Sequence, residues 1–168
     1  MALSGKVCVV TGASKGIGRG IALQLGASGG TVYLTGRSES NLLSAAEEIR
    51  RRGGEVSKEL IKKHWKKNWL YEFPCILQAI PVVVDHNDDN EVLKLFEKIK
   101  EENNGRLDVL VNNAYAGVDM IFSNARKKFH EMDPVSAWDT INGVGLRNHF
   151  LCTTYASRWK IVFLKSFT

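Results

Sequence analysis

Between Lys6 and Leu25 an apolar run gives way to spaced glycines and then to helical periodicity, and few folds accommodate that succession. The β-branched stretch Val7-Cys8-Val9-Val10 reads as a strand buried on both faces. Gly12, Gly16 and Gly18 punctuate a turn, after which Ile17, Ile21, Leu25 and Ser28 recur at helical spacing. Glycines between a strand and a helix make an anion site. The helix N-terminus offers unpaired N–H groups and a partial positive charge, and glycine lets a pyrophosphate approach the backbone.

The spacing Thr11-Gly12-x-x-x-Gly16-x-Gly18 departs from the common G-x-G-x-x-G and resembles that of the short-chain dehydrogenases/reductases. The resemblance places Thr11, Gly12, Ser14, Lys15, Gly16, Ile17 and Gly18 around a nicotinamide dinucleotide. It also implies a small carbonyl or alcohol substrate for a full-length family member.

The remaining periodicities agree with such a fold. Thr31–Thr35 reads as a second strand, and Glu39 to Arg52 as a helix with Leu42, Leu43, Ala46 and Ile49 inward and Gly53-Gly54 as its stop. Ile80–Val84 is a third strand with Pro81 at its start. Asp88 or Asp89 caps a helix running to about Glu102, with Val92, Leu95, Phe96 and Ile99 inward, ended by Asn103-Asn104-Gly105. Leu107–Val111 is a fourth strand. Beyond an irregular basic loop from Tyr115 to Met132, Pro134 opens a long helix to about Arg158. Strands alternating with helices at this spacing predict parallel pairing and right-handed crossovers. The expected architecture is α/β, a Rossmann-like doubly wound parallel sheet truncated to about four or five strands. Residues 1–168 are expected to form a single, incomplete dinucleotide-binding domain.

In a dinucleotide fold an acidic residue ending the second strand suits the 2′-hydroxyl of NAD, whereas a nearby arginine suits the 2′-phosphate of NADP. Here Leu34-Thr35-Gly36-Arg37-Ser38 carries no acid before Glu39, and Lys15 adds a second cation from the glycine turn. NADP(H) is therefore expected over NAD(H). By resemblance, Asp85-His86 after the third strand meets the adenine side, and Asn112-Asn113-Ala114 after the fourth lines the cofactor and steadies the sheet. Tyr115 and Ala116 intervene before Gly117, a departure from the family's Asn-Asn-Ala-Gly.

Two segments depart further. Family members pass from the second helix to the third strand in a few residues, but here Ser57 to Ala79 intervenes, with five lysines and two glutamates. Leu60, Ile61, Trp65 and Trp69 can share one helical face opposite the lysines. The segment is either a basic amphipathic helix for a membrane surface or protein partner, or translated non-coding sequence. At the other end, the family's Tyr-x-x-x-Lys pair is absent. In the family its tyrosine exchanges the proton with substrate, and its lysine lowers the phenol's pKa and binds the nicotinamide ribose. Tyr155 and Lys160 are one residue too far apart and take no such role. Lys160–Ser166 either imitates the fifth strand, putting Ser166 at the place of the family's serine, or is an unrelated tail in a divergent stretch from 158 to 168. The family's helix asparagine should fall near Gly145, but no asparagine stands at that spacing from Trp138, and Asn142 is out of step. The chain is thus expected to hold nucleotide and to be inactive alone.

Composition excludes several other classes. With 44% hydrophobic and 24% charged residues, and no apolar run near membrane-spanning length, a globular chain is expected. Met1–Gly5 lacks the features of a secretory leader. Cys8, Cys75 and Cys152 have no metal-ligand spacing and read as reduced thiols, so no metal is expected. Of the net charge of +5, Ser57–Ala79 supplies three, and no nucleic-acid motif accompanies it. The expected location is cytoplasmic, or peripheral on the cytosolic face of a membrane such as the endoplasmic reticulum. Homo-oligomerisation through the long helix near Trp138 is a further implication of the resemblance.

Overall fold

The computed structural model describes residues 1–52 and 79–158. Among them, β1 (Val7–Val10), β2 (Thr31–Gly36), β3 (Ala79–Val83) and β4 (Val109–Val111) form one parallel sheet in the order β3-β2-β1-β4. Helices α1 (Gly16–Ala27) and α2 (Glu39–Arg52) pack on one face; α3 (Asp89–Glu102) and the end of the long C-terminal helix pack on the other.

Both faces are sealed because successive strand residues point to opposite sides. Cys8, Val10, Val32 and Leu34 meet Ala22, Leu23, Leu42, Ala45, Ala46 and Ile49 of α1 and α2. Val7, Val9 and Tyr33 meet Val92, Leu95, Phe96 and Ile99 of α3, and Cys152. Register follows directly, with Val9 opposite Tyr33 on one side and opposite Leu110 on the other.

The inner face of α3 is as its periodicity predicts, and Asp88 is its cap, accepting from the N–H groups of Asn90 and Glu91. Two helix faces differ from expectation. On α1 the buried residues are Gly18, Ala22, Leu23 and Gly26, while Ile17 is 78% exposed. Small residues seat that helix close to its neighbours, so the bulkier Ile17–Ile21–Leu25–Ser28 stripe lies to one side, lining an open groove. On α2, Ala45 is buried and Leu43 is exposed.

Strand limits also shift. Strand β4 begins only at Val109 because Asp108 is engaged at the sheet's amino end, its carboxylate accepting from Val7 N–H at 2.9 Å. Strand β3 starts at Ala79, although Val84 N–H still donates to Gly36 O at 3.0 Å. The region from Tyr115 to Met132 is not irregular throughout: it contains α4 (Val118–Ser123) and a 3-10 turn at Phe129–Glu131. The long helix is continuous in course but not in pitch. It comprises α5 (Pro134–Asn142), a π-helical stretch (Gly143–Asn148) and α6 (His149–Ser157). Asp133 caps it through Ser136 N–H at 2.7 Å, with Pro134 in the first turn, where a missing N–H costs nothing. The segment 57–78, Lys160 and Ser166, with the readings attached to them, lie outside the described residues.

Candidate functional site

The carboxyl ends of β1, β2, β3 and β4 bring the sequence-derived residues to one rim. At its centre is Thr11, fully buried, whose hydroxyl oxygen accepts from the backbone N–H groups of Asn113 at 2.8 Å and Ala114 at 3.0 Å. The Asn113 side-chain amide donates in return to Thr11 O at 2.9 Å and Gly12 O at 3.1 Å. The glycine turn and the Asn-Asn-Ala segment are therefore one braced unit, spanning the adjacent strands β1 and β4 at this rim. Asn113 is the bracing side chain, whereas its neighbour Asn112 donates to Thr153 Oγ1 at 3.0 Å and keeps a buried Oδ1 without a partner among the described residues. Sequence reading took the run Asn112-Asn113-Ala114 as lining the cofactor and steadying the sheet, with Asn112 and Ala114 as its cofactor residues. The signal for Asn113 was its place in the same run, but only the fold shows which amide faces the turn.

The glycines have separate reasons. Gly12 has φ +67°, a left-handed conformation, and a Cβ there would lie 2.9 Å from Ala114 Cα. A Cβ at Gly18 would collide with the Asn113 amide nitrogen and with Gly12 O, so only glycine lets α1 start so close to the turn. Lys15 is the N-cap residue of α1 and supplies no side-chain cap, which leaves the first-turn N–H groups open to an anion. Ile17, the one bulky residue in that first turn, points its side chain to the outer groove and can serve an anion only through its backbone.

The residues expected on the adenosine side adjoin this turn. Ala13 N–H donates to Thr35 O at 2.8 Å, and the Cβ position of Gly36 lies 3.3 Å from Ser14 Oγ. Contact between Ser14 and Gly36 places their neighbours, Lys15 and Arg37, on the same rim. Both cations are exposed, and neither pairs with a carboxylate among the described residues. Asp85 is half-buried, its Oδ1 accepting from Asn87 N–H at 3.0 Å.

His86 sits elsewhere than its place in the sequence implies. Its ring is buried, with Nε2 2.6 Å from Thr35 Oγ1 and Nδ1 3.0 Å from Asn148 Oδ1, so neither nitrogen is free to meet a base. Burial holds its pKa below the ordinary histidine value, against the opposing pull of the Asn148 hydrogen bond and of Asp85. The ring is neutral at pH 7. Cys152 donates its thiol to the same Asn148 oxygen at 3.4 Å, and burial pushes that thiol up to about 12. On the far side, His149 Nε2–H donates to Ala114 O at 2.9 Å.

Tyr155 is packed away from any such chemistry. Its ring lies against Phe96, with centroids 5.8 Å apart, and Arg158 stacks over it at 5.3 Å. Among the described residues no cluster of three His, Cys, Asp or Glu side chains is placed to hold a metal ion. No helix among them is long and apolar enough to cross a membrane.

The family model for short chain dehydrogenases matches residues 6–62 and 66–162. The chain belongs to that family. This short-chain dehydrogenase is 47% identical over 156 residues to Dehydrogenase/reductase SDR family member 1 of mouse, and equally to that of human. Those alignments cover 93% of this chain and 42% of each relative, so the chain spans less than half the length of these two relatives. It is also 33% identical over 128 residues to a 12alpha-hydroxysteroid dehydrogenase from a Clostridium species, covering 75% of this chain and 42% of that one. Among solved structures, a metagenomic short-chain oxidoreductase in complex with NADP superposes with a TM-score of 0.67 at 30% identity, over 94% of this chain and 57% of that one. A short-chain type dehydrogenase/reductase from Mycobacterium marinum gives the same TM-score at 25% identity, over 94% and 51%. The α/β fold and the family thus agree with the sequence reading.

Proposed function

We propose that this short-chain dehydrogenase is the nucleotide-holding part of an NADP(H)-preferring oxidoreductase. The carrying observation is the pair of exposed cations, Lys15 and Arg37, set on one rim by the Ser14–Gly36 contact and left without carboxylate partners among the described residues. A 2′-phosphate on the adenosine ribose supplies the missing negative charge, and a planar guanidinium suits its geometry. The uncapped start of α1 and the left-handed glycines receive the pyrophosphate. Thr11, Gly12, Ser14, Lys15, Gly16, Ile17 and Gly18 form the pyrophosphate side, Arg37 and Asp85 the adenosine side, and Asn112 and Ala114 the side beneath β4. His86 shapes the adenosine corner from behind rather than by contact.

When bound, the cofactor supplies hydride exchange with a carbonyl or alcohol substrate. The described residues provide binding and orientation for it. Within residues 1–168 the Tyr-x-x-x-Lys pair is absent, so these residues alone hold nucleotide without turning over substrate. Calorimetric titration with NADPH and NADH checks the binding half: tighter NADPH binding supports the reading, and indifference to both nucleotides ends it. Incubation with NADPH and a panel of carbonyl compounds checks the other half, where sustained oxidation of NADPH contradicts it.

A further inference from the structure

The least explained group in the molecule is the buried imidazole of His86. Its two hydrogen bonds join segments 51 and 62 residues away. Thr35 is the penultimate residue of β2, directly before Gly36 and Arg37, and its carbonyl holds the glycine turn through Ala13 N–H. Asn148 closes the π-helical stretch, and the next residue, His149, reaches Ala114 on the β4 side. One turn of the long helix therefore grips both halves of the rim. We propose that His86 is a positioning residue, tying the corner that carries Arg37 to the long helix, and that taking up a proton there loosens the tie.

The chemistry supports one protonation state. A carbonyl-type Asn148 Oδ1 accepts, so Nδ1 carries the hydrogen, and Nε2 accepts from the Thr35 hydroxyl. A proton on Nε2 turns that last bond around. Thr35 then has only Val10 O as its acceptor, at 3.5 Å, a poor bond. The new charge also sits in a site without an ion-pair partner. Of the groups facing it, Asp85 and Glu91 attract and His149 repels. Both carboxylates are already engaged, Glu91 accepting from Asp85 N–H at 2.6 Å and Asp85 from Asn87 N–H at 3.0 Å. Arg147, beside Asn148, is committed to Asp89 of α3. Thr35, Asn148 and the Cys152 thiol are uncharged. Asn148 Oδ1 accepts from Nδ1–H in either state of the ring and from the Cys152 thiol, while its Nδ2 has no partner among the described residues, so the amide brings no negative charge to meet the added proton.

Cys152 is a built-in reporter, fully buried and bonded to the same Asn148 oxygen. In a C8A/C75A chain it is the sole thiol. Its labelling by 4,4′-dithiodipyridine, referenced to a free thiol at each pH, reads how tightly the long helix holds. The expected result is about a tenfold loss of protection between pH 7.5 and 5.5 with His86 present, and a flat profile in H86N, which keeps an amide donor but cannot take up the proton. NADP⁺ and NAD⁺ affinities over the same range should fall about three- to tenfold in the parent beyond any drift shared with H86N. NAD⁺ separates this loss from titration of the 2′-phosphate. The nucleotide arm rests on the function proposed above. Absence of binding at any pH, with the His86-dependent step in protection intact, removes that function and leaves the tie supported. Parallel profiles for parent and H86N overturn the tie, whatever the nucleotide does. Should H86N fail to fold, the ¹⁵N shifts of the two imidazole nitrogens in the parent chain give the titration directly. Their midpoint must coincide with the loss of Cys152 protection, and a mismatch overturns the proposal.

Discussion

The two ends of the sheet treat charge in opposite ways. At the amino end, Asp108 accepts from Val7 N–H, Lys6 and Arg106, and the Tyr33 hydroxyl bonds to Glu102 Oε2 at 2.8 Å and accepts from Asn103 Nδ2 at 2.7 Å. At the carboxyl end, Lys15 and Arg37 stand without carboxylates among the described residues, and the first turn of α1 is uncapped. Paired groups hold a chain together, whereas unpaired ones await an anion. The difference separates what keeps this molecule folded from what it can bind.

The comparison breaks most completely at the junction between turn and helix. In G18V, branched carbons are forced into the Asn113 amide and the Gly12 carbonyl, and the brace between β1 and β4 is lost. Urea unfolding should show a loss of about 3 kcal/mol, together with any nucleotide binding. Reversing the free cation by R37E is expected to weaken NADPH about tenfold or more, to leave NADH within about twofold, and to leave the urea midpoint unchanged. A drop in stability in that variant would show that Arg37 has a structural partner after all.

Neutralising the paired end by D108N is expected to do the reverse. It should cost about 1 kcal/mol, discounted because Lys6 and Arg106 lie partly in solvent, and leave nucleotide affinity alone. The two ends should also part company in acid. Burial raises the Asp108 pKa, but Arg106, Val7 N–H and Lys6 outweigh it, so the folded value lies below the ordinary aspartate value of about 3.8. Its contribution is complete above about 3.8 and is lost as pH falls through the lower folded value. His86 also has a depressed folded pKa, but as a base that is buried neutral. Between its folded value and the ordinary histidine value of about 6.5 the unfolded chain binds more protons, so stability falls as pH drops below about 6.5. Hydrogen exchange at pH 5.5 should therefore show the Thr35–Arg37 corner loosened while amides around Val7 and Val109 keep their protection. The smallest effect is expected for K6A, a half-exposed partner whose removal should shift the midpoint by no more than about 0.5 kcal/mol.

Much of this was written locally. Val7–Val10, the glycines after it and a cap at Asp88 or Asp89 declare themselves because strand burial, turn conformation and capping depend on neighbours within a few residues, and the fold settles the cap on Asp88. The inner face of α1 did not, because a seam of small residues is quieter than the isoleucines beside it. The π-helical stretch gave no signal of its own, and neither did the helix at Val118–Ser123 within a basic run.

The site divides along the same line. Sequence alone determined that a glycine turn with Lys15 follows β1 and that Arg37, with no acid before it, follows β2, because residue types and spacing suffice for that. Only the tertiary structure decided that Asn113 braces the turn across 102 residues, that Ser14 and Gly36 touch, and that the His86 ring is sealed between Thr35 and Asn148. Pairings across such separations are set by how the helices and strands stack. A histidine's charge and direction are then consequences of burial, which no single stretch of chain specifies.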